Sequence, residues 1–140
     1  MNGLKDKLQY MEVKVLRNVN SNDINSASEA VTEMINKSEL AQAKFHEGTS
    51  QYSLLKNRIR TLKIALSILD EQLGKTVYVN FETGDLEKAV TPIKSLISKS
   101  EKAKIKLKED TWQYNMLKSN ILALNVVLPL ILSAREKSSY

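Results

Sequence analysis

The sequence predicts a mainly helical fold with a minor β element, built from one helical unit used twice. Three observations predict it. Gln51-Tyr52-Ser53-Leu54-Leu55-Lys56 returns as Gln113-Tyr114-Asn115-Met116-Leu117-Lys118, an offset of 62 residues that holds without a gap well beyond the hexamer. Ile35, Lys37, Ser38, Lys44 and Thr49 recur as Ile97, Lys99, Ser100, Lys106 and Thr111, and a repeat of this kind marks one supersecondary unit used twice. Within each copy, apolar residues recur at alternating three- and four-residue steps, the spacing of a helical seam. Chain breakers are scarce, with 4 Gly and 2 Pro in 140 residues, which disfavours a many-turned β fold.

The chain is expected to form one domain, with pseudo-repeats at 21–73 and 83–136. Residues 1–20 carry two patterns. Leu4, Leu8, Met11 and Val15 suit an amphipathic helix, whereas Met11-Glu12-Val13-Lys14-Val15 alternates as a strand does. The second copy has Thr76-Val77-Tyr78-Val79-Asn80-Phe81, β-branched and aromatic, which reads as a short strand at 76–82. By analogy a strand is expected at about 12–17, paired with it.

Ser21, Asn22 and Asp23 are alternative caps for the first helix, as are Thr83 and Asp85 for its counterpart. The first seam then runs Ile24, Ala27, Val31, Met34, Ser38, Ala41, Phe45, Gly48, Tyr52, Leu55, Ile59, Leu62, Leu66, Leu69, Leu73. The second runs Leu86, Ala89, Ile93, Leu96, Ser100, Ala103, Leu107, Asp110, Tyr114, Leu117, Ile121, Leu124, Leu128, Ile131. Two architectures fit. If the chain turns at 47–51, each repeat is a helical hairpin and two hairpins make a four-helix bundle. Gly48 can take the left-handed conformation, Thr49 can cap the next helix, and Asp110-Thr111-Trp112-Gln113 has the shape of a capping box. If it does not turn, each repeat is one coiled-coil helix of ~50 residues and ~75 Å. The unbroken heptad phase favours the second arrangement, and the shortness of most helices favours the first.

Residues 121–134 stand apart, being apolar all round except for Asn125 and Ser133. Arg60, Lys63 and Asp70 of the first copy become Leu122, Asn125 and Leu132 here. Such a segment is central in a core or covered by a second subunit, so a homo-oligomer is expected, with Leu122 and Leu132 as contact residues. Read as fourteen residues, it falls short of the ~20 a membrane span needs, so no membrane span is expected.

A net charge of +5, with 42% hydrophobic and 26% charged residues, describes an ordinary folded chain with a Lys-rich surface. No cysteine is present, so disulfides and thiolate metal sites are excluded. The first residues have no apolar core behind Lys5 and Lys7, so a cytoplasmic location is expected. His46 is the only histidine and has no recurring acid, base or nucleophile beside it. Glycine-rich phosphate loops and hydrolase elbows are absent from the sequence. No enzymatic activity, cofactor or metal is therefore expected.

The function that fits is a protein-interaction module, an adaptor, regulator or inhibitor that occupies a partner's surface. Trp112, whose counterpart is Ser50, is the one aromatic the repeat does not require, and it is the best single contact residue. The alternative is an accessory nucleic-acid binder using Lys99, Lys102, Lys104, Lys106 and Lys108, followed directly by Trp112 and Tyr114.

Overall fold

The computed structural model describes residues 20–75 and 81–137. Among them are four helices: α1 (Ser21–Gln42), α2 (Ser50–Gln72), α3 (Thr83–Ile105) and α4 (Trp112–Lys137). Each repeat thus holds two helices, and the continuous 50-residue alternative is not formed. The heptad phase survives because the first linker, 43–49, is itself one heptad long. A turn of that length returns the chain to the same seam, so periodicity alone could not separate the two architectures.

The two linkers are built alike. Lys44 N–H donates to the Ala41 carbonyl at 3.1 Å, and Lys106 N–H donates to Ala103 at 3.2 Å. Gly48 and Asp110, at the same repeat position, both take left-handed backbone, with φ of 92° and 69°. Thr49 then caps α2 and Thr111 caps α4, their hydroxyls accepting from the Tyr52 and Tyr114 amides at 3.2 Å in each case. Asp110 is therefore the residue that reverses the chain and is not the cap of α4, because its backbone lies outside the extended region a cap adopts.

The other two helix starts also differ from expectation by a residue or more. Asn20, not Ser21, Asn22 or Asp23, caps α1, its Oδ1 accepting from the Asp23 amide at 2.9 Å. Glu82, not Thr83 or Asp85, occupies the cap position of α3. Asp85 acts from inside the first turn instead, its Oδ2 accepting from the Glu82 N–H at 3.0 Å. A carboxylate three residues on can reach back to the backbone N–H of the cap residue, as in a capping box.

The strand expected at about 12–17 lies outside the described residues, as do residues 76–80 of the strand expected at 76–82. Phe81 and Glu82 belong to neither helix nor strand, and no strand occurs among the described residues.

The core follows the repeat. Val31 and Ile93 are fully buried, as are Leu62 and Leu124, Ala65 and Val127, Leu69 and Ile131. Ala65 with Val127 and Ile68 with Leu130 are off the seam and buried even so, because the second helix of each half packs on more than its own partner. Indeed α2 and α4 each touch all three other helices, whereas α1 and α3 do not meet. Burial is confined to one end of each helix. In α1 it stops at Ser38 and in α2 it begins at Ile59; the last buried residue of α3 is Ile93 and the first of α4 is Ile121. Beyond those levels the two hairpin ends, about 39–58 and 98–120, lie outside the common core.

Candidate interaction surfaces

Most of the apolar segment 121–134 is consumed by the fold. Ile121, Ala123, Leu124, Val127, Leu130 and Ile131 are buried, and Val126, Leu128, Leu132 and Ala134 are partly buried against the core. Leu132 is therefore not part of an open apolar face. Leu122 is, at 61% exposure. The whole of α4 is 26 residues, longer than the segment considered alone, and Trp112–Glu136 is long and apolar enough to cross a bilayer by length and composition. A helix central to a core has the same composition, and α4 contacts all three of its neighbours.

Leu122 lines a groove of about 750 Å³ between α1 and α4. Ala27, Ala30, Ala123 and Val126 supply its apolar floor, and Asp23, Glu29 and Glu33 stand along its α1 side. None of these three carboxylates has an ion-pair partner among the described residues.

The other half of the repeat shows what is missing. There Arg60, the counterpart of Leu122, pairs with Asp85, the counterpart of Asp23, at 2.8 Å. The Glu82 amide above all holds the Asp85 carboxyl below the ordinary carboxylate value; burial opposes it, and the Arg60 guanidinium adds to the lowering. Replacement of arginine by leucine thus removes the bridge between the two helices, leaving a carboxylate and an exposed leucine in one groove. Sequence comparison of the copies flagged Leu122. It did not flag Asp23, because the partner lost at position 60/122 is visible only once the helices are placed.

Among the described residues, five of the six exposed large apolar side chains lie towards the hairpin ends: Leu40, Phe45 and Leu54 on the first, Ile105 and Trp112 on the second. Trp112 is 68% exposed, at the first position of α4.

The five lysines expected to form one basic face divide among different settings. Lys99 lines a cavity between all four helices, together with Lys37 and Arg58. Lys104 places its Nζ 5.7 Å from the centre of the Tyr114 ring. Lys106 is the cap residue at the end of α3, and the Lys108 carbonyl accepts from the Thr111 hydroxyl at 2.8 Å. Lys99, Lys102, Lys106 and Lys108 are exposed, and Lys104 is half-buried. His46 is exposed in the first linker, where its carbonyl accepts from the Thr49 hydroxyl at 2.8 Å. Among the described residues, no three histidine, aspartate or glutamate side chains are grouped as metal ligands would be.

Compared with protein-family models, curated proteins and solved structures, the chain matches none of them.

Proposed function

We propose that this chain is a non-enzymatic protein-interaction module, in which two duplicated hairpins form a four-helix bundle that presents the α1/α4 groove to a partner. The observation that carries the reading is the pairing of exposed Leu122 with unpartnered Asp23, where the other half has an Arg60–Asp85 bridge. The occupant that fits is an amphipathic segment. Its apolar side chains rest on Leu122, Ala123 and Val126, and its lysine or arginine supplies the cation that Asp23, Glu29 and Glu33 lack. A second copy seated symmetrically on this groove would set the carboxylates of both chains against each other, so a basic partner fits better than self-association there.

Leu122→Arg tests this. By analogy with Arg60, the new guanidinium reaches Asp23 and closes the groove without disturbing the core. The proposal expects a basic amphipathic peptide, titrated by fluorescence anisotropy, to bind the wild type and to be lost with Leu122→Arg and weakened with Glu29→Gln. Equal binding to wild type and Leu122→Arg, with both folded by circular dichroism, refutes it.

A second reading, nucleic-acid binding, is favoured by one observation: exposed Trp112 lies close in sequence to exposed Lys102, Lys106 and Lys108. It requires affinity for a single-stranded oligonucleotide that falls steeply with salt and on Trp112→Ala. Salt-insensitive or absent binding removes it.

A further inference from the structure

A cavity of about 260 Å³ opens where the four helices come together, at the level where the common core ends. It is lined by residues from both halves, and the repeat relates several of them: Lys37 to Lys99, Ser38 to Ser100, Arg58 to Asn120. Lys37, Arg58 and Lys99 all line it, Lys37 and Lys99 as exposed side chains. No carboxylate answers them: the three ion pairs among the described residues are Arg60–Asp85, Lys63–Glu39 and Arg135–Glu87.

The neutral polar groups are also without partners. Among the described residues, Ser38, Ser100 and Asn120 make no side-chain hydrogen bond, although Ser38 is only 7% exposed. Among the described residues no side-chain polar atom is both sealed from solvent and unsatisfied, so the Ser38 hydroxyl keeps some contact with solvent. Among the described residues, the Lys37 ammonium donates to the thioether sulfur of Met116 at 2.9 Å, a weak acceptor for a full charge. Like charges lining one opening repel each other, and an anion seated between them relieves that repulsion through charge-assisted hydrogen bonds.

We infer that this cavity binds a small phosphate-class oxyanion, with the Arg58 guanidinium and the Lys37 and Lys99 ammonium groups as its charge partners and Ser38, Ser100 and Asn120 as neutral donors. The planar fork of arginine matches two oxygens of one tetrahedral anion, and the related lysine–serine pairs approach from the two halves. Carboxylates offer only two oxygens in a plane and use such a donor set incompletely. Met116 and Asn120 line both this cavity and the α1/α4 groove, but Lys37, Arg58 and Lys99 line only the cavity, and Leu122 and Asp23 only the groove.

The test is isothermal titration of the full chain at constant ionic strength with pyrophosphate, inorganic phosphate, acetate, and an oligonucleotide lacking terminal phosphates. The expected result is one saturable site for pyrophosphate or phosphate, weakened by about tenfold or more in Arg58→Gln and in Lys99→Gln. Lys108→Gln, which removes the same charge outside the cavity, should leave the affinity unchanged. Circular dichroism checks folding; should Arg58→Gln fail to fold, exposed Lys99 and the small change Ser100→Ala carry the comparison. Absence of saturable phosphate binding overturns the inference. So does equal weakening by Lys108→Gln, acetate binding as tight as phosphate, or oligonucleotide binding that depends equally on every lysine.

Discussion

Gly48 and Asp110 occupy the same place in the two linkers and share left-handed backbone, yet only one of them is a glycine. For a residue with a side chain that conformation costs ~1–2 kcal/mol, and aspartate tolerates it better than most. Space is not the issue at Gly48, since nothing lies within 4 Å of where a Cβ would sit. Gly48→Ala should therefore destabilise the chain by ~1 kcal/mol from backbone strain alone. Asp110→Gly should stabilise it by up to ~1 kcal/mol. Urea denaturation of the two variants beside the wild type checks both signs, and a stabilising Gly48→Ala would be the contrary result.

Thr49 and Thr111 each use one hydroxyl twice, donating to a carbonyl three residues before and accepting from an amide three residues after. Valine keeps the shape but loses both bonds. Thr49→Val and Thr111→Val should each cost ~1 kcal/mol, while Thr→Ser at either position should cost less than half of that. The comparison by thermal and urea unfolding separates the hydroxyl from the methyl.

Asp85 is held ionised by the Glu82 amide and by Arg60, so its carboxyl pKa is lower folded than unfolded. A depressed acid stabilises the fold above its unfolded pKa, and that contribution is lost as pH falls through the folded pKa. Asp85→Asn should therefore be less stable than wild type near neutral pH, with the gap closing as the solution is acidified below the ordinary carboxylate range. Arg60→Gln should move the Asp85 titration upward, followed by carboxyl carbon NMR. An Asp85 titration unaffected by Arg60→Gln would show that the guanidinium contributes nothing in solution.

Leu122 and Leu124 are two residues apart on one helix and should behave oppositely. Leu124 is fully buried, and Leu124→Ala should cost ~2–5 kcal/mol through lost transfer energy and a cavity. Leu122, at 61% exposure, should tolerate Ala or Arg within ~0.5 kcal/mol. Light scattering on the same proteins reports mass: an oligomer that becomes monomeric only with Leu122→Arg would show self-association through this residue, against the basic-segment occupant.

How much of this was legible in the sequence depended on what each residue reports. The seams named some core pairs, since burial of Val31 with Ile93 or Leu62 with Leu124 is a direct reading of periodicity. They missed Ala65 with Val127 and Ile68 with Leu130, and ran on into exposed residues such as Phe45 and Ala103. The hairpin turn was only half legible. Gly48 and Thr49 announced it in the first copy, but Asp110 looked like a cap, since aspartate serves both roles and only the backbone angle decides. Leu122 was legible as a divergence between copies, whereas Leu132, equally divergent, turned inward against the core. Distinguishing them required the direction of each side chain relative to α1, which a one-dimensional pattern does not hold. The grouping of Lys37, Arg58 and Lys99 was not legible at all, because it joins three helices whose relative height is set by core packing.

The end of burial near Ser38, Ile59, Ile93 and Ile121 divides every helix into two stretches of unequal cooperativity. On one side, breaking a backbone hydrogen bond requires separating both halves of the molecule; on the other, it requires opening one hairpin end alone. Amide hydrogen exchange should therefore step within single uninterrupted helices. Protection should be slow, and tied to global unfolding, at 24–35 and 121–131. It should be faster, and set by local opening, at 39–42 and 112–117. Each hairpin end is in effect a separately meltable unit, and a ligand that bridges the two at their base would slow exchange in both without touching either tip.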